Sequence, residues 1–206
     1  MGLWERQVVP RMVERCCGHP ELERLRAEAC AGLAGTVVEI GFGSGRNAPH
    51  YPPAVTRVLA VEPSDVALRL GRDRVARRGV PVQRAGRDAT RLPLPDGSVD
   101  AALSTWTLCT VPDPAAALAE LRRVLAPGGR LHLVEHGLAP DPRVARWQRR
   151  LEPLQRRVAG GCHLTRDVPG LLAAAGLAPV RLRAEALPGV PRPFGWTTVA
   201  ALAAPD

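Results

Sequence analysis

The spacing of apolar positions changes along the chain, and the change separates helical segments from strands. Residues 3–31 predict helix, and in the first part of this region Leu3, Val8, Met12 and Val13 fall roughly on one helical face, with arginine and glutamate opposite them. The turn sequence Gly-His-Pro at residues 18–20 divides this region into two helices. After residue 35 the pattern becomes short apolar runs rich in β-branched residues, which predict strands. These runs cover residues 36–40, 57–61, 80–83, 99–104, 130–135, 180–184 and 197–202.

Helix-capping residues precede the segments between these strands. The predicted helices begin at Ser64 or Asp65, at Asp113, near residue 142, and at Thr165 or Asp167. Strands that alternate with helices of this length form βαβ units, so most of the sheet is expected to be parallel. The last two strands have no helical pattern between them and predict an antiparallel hairpin at one edge. The predicted fold is therefore α/β and Rossmann-like, with a seven-stranded, mostly parallel sheet and helices on both faces.

A glycine loop follows the first predicted strand and opens a helix. Gly41, Gly43 and Gly45 lack Cβ atoms, so the backbone can turn tightly there and approach a ligand closely. A dinucleotide fingerprint of the form G-x-G-x-x-G would need its third glycine at residue 46, which is arginine. Glu39 stands before the loop and suits a cationic ligand head better than a pyrophosphate. The spacing thus favours S-adenosylmethionine, which carries a sulfonium and an ammonium group, over a nicotinamide dinucleotide.

Two further acidic residues follow the second and third predicted strands. Glu62, which precedes Pro63, is placed to accept hydrogen bonds from both hydroxyls of a ribose. Asp88 could accept a hydrogen bond from an adenine amino group, while the backbone N–H of Ala89 could meet a ring nitrogen. Both positions are consistent with an adenosine-containing cofactor at the carboxyl ends of the strands.

The chain is basic, with a formal net charge of +8 and a pI near 10.7. All 28 basic residues are arginine, and alanine, glycine and proline are abundant throughout, as a GC-rich genome would produce. No concentrated basic tail is present, so nucleic-acid binding is not favoured. An arginine-rich face that contacts anionic lipid at a membrane surface, or an acidic substrate, stays open as an alternative.

The cysteine pattern and the lack of a long apolar run indicate a cytoplasmic protein. Five cysteines are present, an odd number with no C-x-x-C pair, which predicts neither a disulfide framework nor a zinc site. The neighbouring Cys162 and His163 alone lack a complete metal-ligand set, so no metal is expected. The sequence shows no signal-peptide pattern and no long apolar run.

Two longer blocks give the chain a resemblance to the class I S-adenosylmethionine-dependent methyltransferases. They are the phrase L-P-L-P-D-G-S-V-D at residues 92–100 and the phrase E-L-R-R-V-L-A-P-G-G at residues 120–129. With the loop acids, the resemblance spans residues 35–135. It implies S-adenosylmethionine as cofactor and a single methyltransferase domain over residues 1–206, in which residues 1–34 form a helical lid on a core of residues 35–206. The cofactor-binding residues expected on this basis are Glu39, Gly41, Gly43, Gly45, Asn47, Glu62, Pro63, Asp88, Ala89 and Thr105.

A narrower resemblance is carried by motifs outside those blocks. Asn47 with Tyr51-Pro52, the segments at residues 108–111 and 161–166, and Glu135-His136 are similar to a methyltransferase-like subfamily that includes animal alkyl-thiol methyltransferases. Animal members of that subfamily carry an N-terminal hydrophobic anchor, a pattern that this sequence does not show. The resemblance implies a small-molecule acceptor, and a thiol is the first candidate.

The expected reaction is an in-line displacement at the sulfonium methyl carbon, in which alignment does much of the catalysis. His136 is the first candidate for a base or a group that positions the acceptor, and Arg166 could favour a thiolate. Cys109 is expected to be an apolar wall of the pocket, and Trp106 could stack on the cofactor or be ordinary core. If residues 1–34 are a lid, deleting residues 1–17 should reduce methyl transfer more than it reduces stability.

Other functions remain open at this stage. A quinone or a lipid headgroup could be the acceptor of an O-, N- or C-methyltransferase. A methyltransferase acting on nucleic-acid bases is disfavoured, because residues 105–108 (Thr-Trp-Thr-Leu) lack the Pro-Pro-aromatic element that holds a base. A non-catalytic regulator that binds the cofactor is a further alternative, since binding residues do not prove turnover.

Overall fold

One seven-stranded sheet forms the centre of the protein, in a computed structural model that describes residues 2–203. The strands are β1 (Gly35–Ile40), β2 (Val55–Val61), β3 (Val82–Gly86), β4 (Val99–Thr105), β5 (Leu125–His136), β6 (Ala178–Ala186) and β7 (Trp196–Ala203). Their order is β3-β2-β1-β4-β5-β7-β6. The first five pair in parallel, β7 is antiparallel to β5, and β6 is antiparallel to β7. The predicted sheet and its antiparallel edge hairpin are confirmed.

The helices lie where caps and turn residues predicted them. A π-helical turn (Trp4–Val8) leads into α1 (Val9–Cys16), followed by α2 (Pro20–Cys30), α3 (Asp65–Leu70), α4 (Arg72–Arg78), α5 (Pro114–Val124), α6 (Pro142–Val158), α7 (Val168–Ala174) and α8 (Arg192–Gly195). Ser64 and Asp113 cap α3 and α5 through their side chains, as predicted. The cap of α7 is Asp167, whose carboxylate accepts the N–H of Gly170 at 3.1 Å.

Two details differ from the predicted pattern. The helix expected from residue 64 to residue 77 is divided into α3 and α4 at Gly71. A Cβ atom there would overlap the backbone carbonyl of Ser44, so the glycine loop packs directly on this break. The short helix α8 interrupts the connection between β6 and β7, where no helical pattern was recognised. Four residues are too few to show a helical period.

The core lies on both faces of the sheet. In β1 the neighbouring residues Val37 and Val38 pack into different apolar clusters, because successive side chains of a strand point to opposite faces. One cluster holds the buried side of α5, including Leu118 and Leu121, and the other holds that of α2, including Leu25. Within residues 2–203, every helix is too short or too polar to cross a membrane.

The connectivity decides where a ligand can bind. The chain runs from β1 outward to β2 and β3, then returns to β4 on the other side of β1. Loops that leave neighbouring strands in opposite directions open a crevice at the carboxyl ends of those strands. The crevice of this protein therefore lies beyond β1 and β4, where the glycine loop begins.

Candidate active site

A cavity of about 440 Å³ occupies this crevice. The N-terminal helices cover one side of it. The lining residues are Glu5, Val9, Pro10, Val13, Gly41, Gly43, Ser44, Val61, Glu62, Pro63, Ser64, Ala67, Arg87, Asp88, Ala89, Trp106, Thr107, Thr110, Val111, Pro112, Ala159 and Gly160. A second depression of about 570 Å³ lies between α5 and α7, but its lining is mostly alanine, leucine and arginine, with no carboxylate or nucleophile. The crevice cavity is therefore the candidate site.

The glycine loop presents bare backbone to the cavity. Gly41 and Gly43 adopt left-handed conformations, with φ of 64° and 57°. A side chain at Gly41 would overlap Thr107, so this glycine allows the loop to pack against the segment after β4. A Cβ at Gly43 would meet only the carbonyl oxygen of Gly41, at 3.7 Å, so this residue faces open space. Gly45 does not line the cavity; a Cβ there would press on Phe42 and Val75 at 3.0 Å.

Glu62 is the buried acid of the cavity, and both of its carboxylate oxygens are held by backbone N–H groups. One accepts from Gly43 and the other from Ser64, each at 2.7 Å. Burial raises the pKa of Glu62, and these two hydrogen bonds oppose the rise. Each oxygen of a carboxylate can accept more than one hydrogen bond. Glu62 can thus bind a pair of hydroxyls while it fixes the glycine loop.

Three further residues predicted from the sequence to bind the cofactor line the same cavity. Pro63, Asp88 and Ala89 all line it. One oxygen of Asp88 accepts from the backbone N–H of Thr90 at 2.8 Å and from its hydroxyl at 2.7 Å. These bonds lower the pKa of Asp88 and fix its orientation. The structure therefore brings together Gly41, Gly43, Glu62, Asp88 and their neighbours as predicted.

A second set of predicted residues lies beneath the loop rather than in the cavity. Glu39, Asn47 and Thr105 are buried and do not line the cavity. The Asn47 amide donates to Glu39 at 3.0 Å and to the Thr105 hydroxyl at 2.9 Å. The Arg26 guanidinium donates to Asn47 and Thr105, both at 3.0 Å, and the Tyr51 hydroxyl donates to Glu39. This buried network holds the end of β1 against the end of β4.

The burial of Glu39 makes the stability of the protein depend on pH. Desolvation raises the pKa of Glu39 from its usual 4.5 to about 7, although hydrogen bonds from Tyr51 and Asn47 and the charge of Arg26 oppose it. Because the folded state then binds a proton more tightly than the unfolded state, the Glu39 contribution is complete below pH 4.5 and is lost as the pH rises to about 7. We expect a loss of about 3 kcal/mol over this window.

Urea unfolding of the wild type and of Glu39→Gln at about pH 5 and about pH 7 measures this dependence. The free energy of unfolding of the wild type should fall more steeply with pH than that of the variant. Parallel curves for the two proteins would show that Glu39 does not titrate in this range.

A single acid fastens the N-terminal helix α1 over the cavity. The Glu14 carboxylate forms ion pairs with Arg74 at 2.7 Å and with Arg46 at 3.1 Å, and it accepts the Ser44 hydroxyl. Ser44 and Arg46 belong to the glycine loop, and Arg74 lies in α4. Since Val9, Pro10 and Val13 of the same segment line the cavity, Glu14 couples the cover to the loop beneath it.

Removing this acid should loosen the cover without unfolding the protein. We expect Glu14→Ala to raise the dissociation constant of the cofactor about threefold to fivefold, as partly exposed ion pairs contribute about 0.2–1 kcal/mol each. Calorimetric titration with the cofactor measures the change. Glu21→Ala is the control, because within residues 2–203 the Glu21 carboxylate pairs only with Arg24, on the surface of α2. An equal effect of both variants would contradict a specific role for Glu14.

Trp106 lines the cavity just beyond β4 in a strained conformation. Its φ is 49°, which is rare for a bulky residue, and its backbone N–H donates to Val134 at 2.8 Å. The Arg26 guanidinium lies 4.8 Å from the centre of its ring. Backbone strain of this kind concentrates at functional sites. Trp106 thus forms part of the cavity wall and also packs against the core cluster that holds Leu25.

The predicted catalytic residues lie behind the opposite end of the cavity and do not line it. The His136 Nε2 atom lies 3.1 Å from the Cys162 sulfur. Arg166 donates to the backbone carbonyl of Val111 at 2.6 Å, which supports a cavity-lining residue from behind. Cys109 is buried, as expected for an apolar wall, but it lies in a cluster with His136 and Cys162.

The side chains of this cluster shift one another's pKa values through direct contact. Contact with Cys109 and with His136 lowers the pKa of the Cys162 thiol, although burial opposes the shift. Burial alone would lower the pKa of His136, but Cys162 and the Glu135 carboxylate raise it. The Cys162 thiolate is therefore stabilised beside a histidine that holds its proton more tightly than usual.

Comparisons with known proteins agree with this architecture. A family model described as a methyltransferase domain matches residues 38–133. The thiol S-methyltransferase TMT1B of Rattus norvegicus is 34% identical over 80% of this chain and 66% of its own. TMT1B of Homo sapiens is 33% identical over 82% of this chain and 69% of its own. The chain thus spans about two thirds of the length of these curated relatives.

A solved structure supports the fold. A SAM-dependent methyltransferase from Thermotoga maritima superposes with a TM-score of 0.68, at 25% identity, over 93% of this chain and 95% of that one. The protein is a class I S-adenosylmethionine-dependent methyltransferase. A more distant relative of this methyltransferase is the demethylmenaquinone methyltransferase of Clavibacter sepedonicus, 34% identical over 63% of this chain and 53% of its own.

Three residues of this methyltransferase site were not recognised from the sequence. Glu14 and Arg26 lie in helices where charged residues are expected on the solvent face, so no local pattern distinguishes them. Tyr51 was noted only as part of a motif, whereas its hydroxyl donates to the buried Glu39 carboxylate. Their partners are distant in sequence, and only the folded chain brings them together.

Proposed function

We propose that this protein binds S-adenosylmethionine in the 440 Å³ cavity and transfers its methyl group to a small thiol. The observation that carries the cofactor assignment is the hydrogen bond from the Gly43 N–H to the Glu62 carboxylate at the cavity wall. Gly43 leaves the space that a side chain would fill, and Glu62 offers a carboxylate with remaining acceptor capacity beside it.

Different residues of the cavity would contact different parts of the cofactor. Glu62 would accept the ribose hydroxyls, and Asp88 with the Ala89 backbone would bind the adenine edge. Gly41 and Gly43 would lie along the amino-acid end. The cofactor supplies an activated methyl group, so the protein has to align the acceptor and exclude water. Val9, Pro10 and Val13 above the cavity and Trp106 at its wall give it the apolar surfaces that exclude water.

A thiol acceptor is supported by the relatives and by the size of the cavity. The two TMT1B proteins are named thiol S-methyltransferases, and their likeness extends over more of this chain than that of the demethylmenaquinone methyltransferase. A cavity of 440 Å³ that also holds the cofactor has room for a small acceptor. A thiol also reacts as its thiolate, which needs less help from a general base than an amine or a hydroxyl does.

The test is a release assay for S-adenosylhomocysteine with purified protein, the methyl donor, and separate panels of small thiols, amines, phenols and quinols. Turnover restricted to thiols is the expected result. A preference for quinols would replace the proposal with the C-methyltransferase alternative. No release of S-adenosylhomocysteine with any acceptor would refute the small-thiol acceptor. If calorimetry then still showed cofactor binding, the assignment of the cofactor site would remain supported.

A further inference from the structure

Three side chains with metal-ligating atoms meet next to the part of the cavity that Thr110, Val111 and Gly160 line. Cys109 follows β4, His136 ends β5, and Cys162 follows α6. The two sulfur atoms and a ring nitrogen of His136 all lie within 4.8 Å of one another. The sequence offered only the adjacent Cys162 and His163 as a possible set, and that pair was incomplete. The fold replaces it with three residues drawn from three separate segments.

The geometry of this cluster suits zinc. Zinc binds thiolate sulfur at about 2.3 Å and imidazole nitrogen at about 2.0–2.1 Å, which places neighbouring ligand atoms of a tetrahedron roughly 3.5–3.8 Å apart. The His136 nitrogen lies 3.1 Å from the Cys162 sulfur. Side-chain movements of under about 1 Å would therefore close the cluster around the ion. Cysteine and histidine together select zinc over magnesium or calcium, which take oxygen ligands.

A buried carboxylate holds the backbone of two of the three residues. Glu135 is fully buried, and its oxygens accept the N–H of Cys109 at 3.1 Å and the N–H of His136 at 3.0 Å. The Gln155 amide also lies 3.6 Å from the Cys162 sulfur. Partners that orient the ligands are a regular feature of metal sites. The proposed metal site thus gives a physical reason for burying the Glu135 carboxylate, which the cofactor cavity does not use.

We propose that Cys109, His136 and Cys162 bind a zinc ion, and that the sulfur of the acceptor thiol takes its fourth coordination position. Catalytic zinc sites commonly have three protein ligands and one position left for water or substrate. None of the three ligands lines the cavity, but their neighbours in sequence do: Thr110 and Val111 follow Cys109, and Gly160 precedes Cys162 by two residues. The second half of this proposal rests on the proposed thiol acceptor.

The proposed methyl transfer requires no change in the oxidation state of zinc. The acceptor thiol releases its proton to solvent and binds as a thiolate, which is the nucleophile. Its sulfur forms a bond to the methyl carbon while the bond from that carbon to the sulfonium sulfur breaks. The products are a neutral thioether, a weaker zinc ligand than a thiolate, and S-adenosylhomocysteine.

The first experiment measures the metal alone. The reduced, full-length protein is treated with a chelator and titrated with zinc against a chromophoric competitor, and with cobalt for its absorption spectrum. We expect one ion per chain and the charge-transfer and ligand-field bands of tetrahedral cobalt with thiolate ligands. His136→Gln and Cys162→Ser should each weaken zinc binding by at least about 100-fold, because each removes a ligand. Cys16→Ser is the control, since Cys16 is exposed and lies outside the cluster.

Cofactor binding by calorimetry shows whether each variant is folded, because none of these residues lines the cavity. Absence of stoichiometric zinc in the reduced wild type, or unchanged zinc affinity in folded His136→Gln and Cys162→Ser, overturns the metal site. A Cys109–Cys162 disulfide that forms in air, in a protein that binds no zinc when reduced, overturns it as well.

The second experiment adds the acceptor. A small thiol that is a substrate should shift the cobalt bands, and an unchanged spectrum overturns the acceptor-binding role of the metal. Stoichiometric zinc in a protein that methylates no thiol supports the metal site and refutes the proposed thiol acceptor. The two proposals can therefore fail separately.

Discussion

Replacing Glu62 by glutamine is expected to raise the dissociation constant for S-adenosylmethionine about a hundredfold. The carboxylate accepts two backbone N–H bonds, from Gly43 and Ser64, and has capacity left for two ribose hydroxyls. An amide keeps one acceptor oxygen and turns an NH₂ group toward one of these N–H donors. Hydrogen bonds to charged groups contribute about 1.5–3 kcal/mol each, so one such loss, with the disturbance of the loop, accounts for the factor.

Asp65→Asn is the matched control for this substitution. Asp65 lies three residues further along, is 59% exposed and does not line the cavity, and it pairs with Arg84 and Arg87. The affinity of the Asp65→Asn variant for the cofactor should differ from that of the wild type by less than about twofold, because exposed ion pairs contribute little. Calorimetric titration of both variants decides the matter. Affinity of Glu62→Gln within about fivefold of the wild type would refute the assignment of Glu62 to the ribose.

Gly43→Ala is expected to weaken cofactor binding between about tenfold and a hundredfold. The added methyl group would meet only the Gly41 carbonyl at 3.7 Å within the protein, so the fold accommodates it. The same methyl group would occupy space that the cofactor needs, and overpacking of this kind costs about 1–3 kcal/mol. The left-handed backbone, with φ of 57°, adds a stability cost of about 1–2 kcal/mol for any residue with a Cβ.

Gly79→Ala separates these two effects. Gly79 is also left-handed, with φ of 74°, and a Cβ there would meet nothing within 4 Å. It ends α4, away from the cavity. Both alanine variants should therefore lose similar stability in thermal unfolding, while only Gly43→Ala loses affinity for the cofactor. If Gly43→Ala binds the cofactor as tightly as Gly79→Ala does, the loop does not contact the cofactor at residue 43.

The sequence was sufficient to predict the sheet and the part of the site that lies at strand ends. In a parallel sheet the carboxyl ends of the strands share one edge, so Gly41, Glu62 and Asp88 had to converge once their strands were recognised. Their local context, a strand before and a helix or turn after, contained the needed information. The antiparallel hairpin at the edge followed in the same way from the missing helix between its strands.

Contacts between side chains that are far apart in the sequence could not be predicted from the pattern of strands and helices. Glu39 was expected to meet the cofactor, yet its carboxylate bonds to Asn47 and Tyr51 below the loop. The direction of a side chain at a strand end depends on one residue of register, which the pattern does not fix. His136 was likewise placed at the correct edge, but its contact with Cys162 depends on how the loop after α6 returns to the sheet.

The attachment of α1 by one carboxylate also bears on how the molecule exchanges its bound ligands. Glu14 joins the covering helix to both the glycine loop and α4, so these bonds restrain the movement of the helix over a ligand seated under Val9 and Val13. Motions of such covering segments commonly set the rate of product release. Substitutions at Glu14 would therefore accelerate the departure of S-adenosylhomocysteine even as they weaken binding.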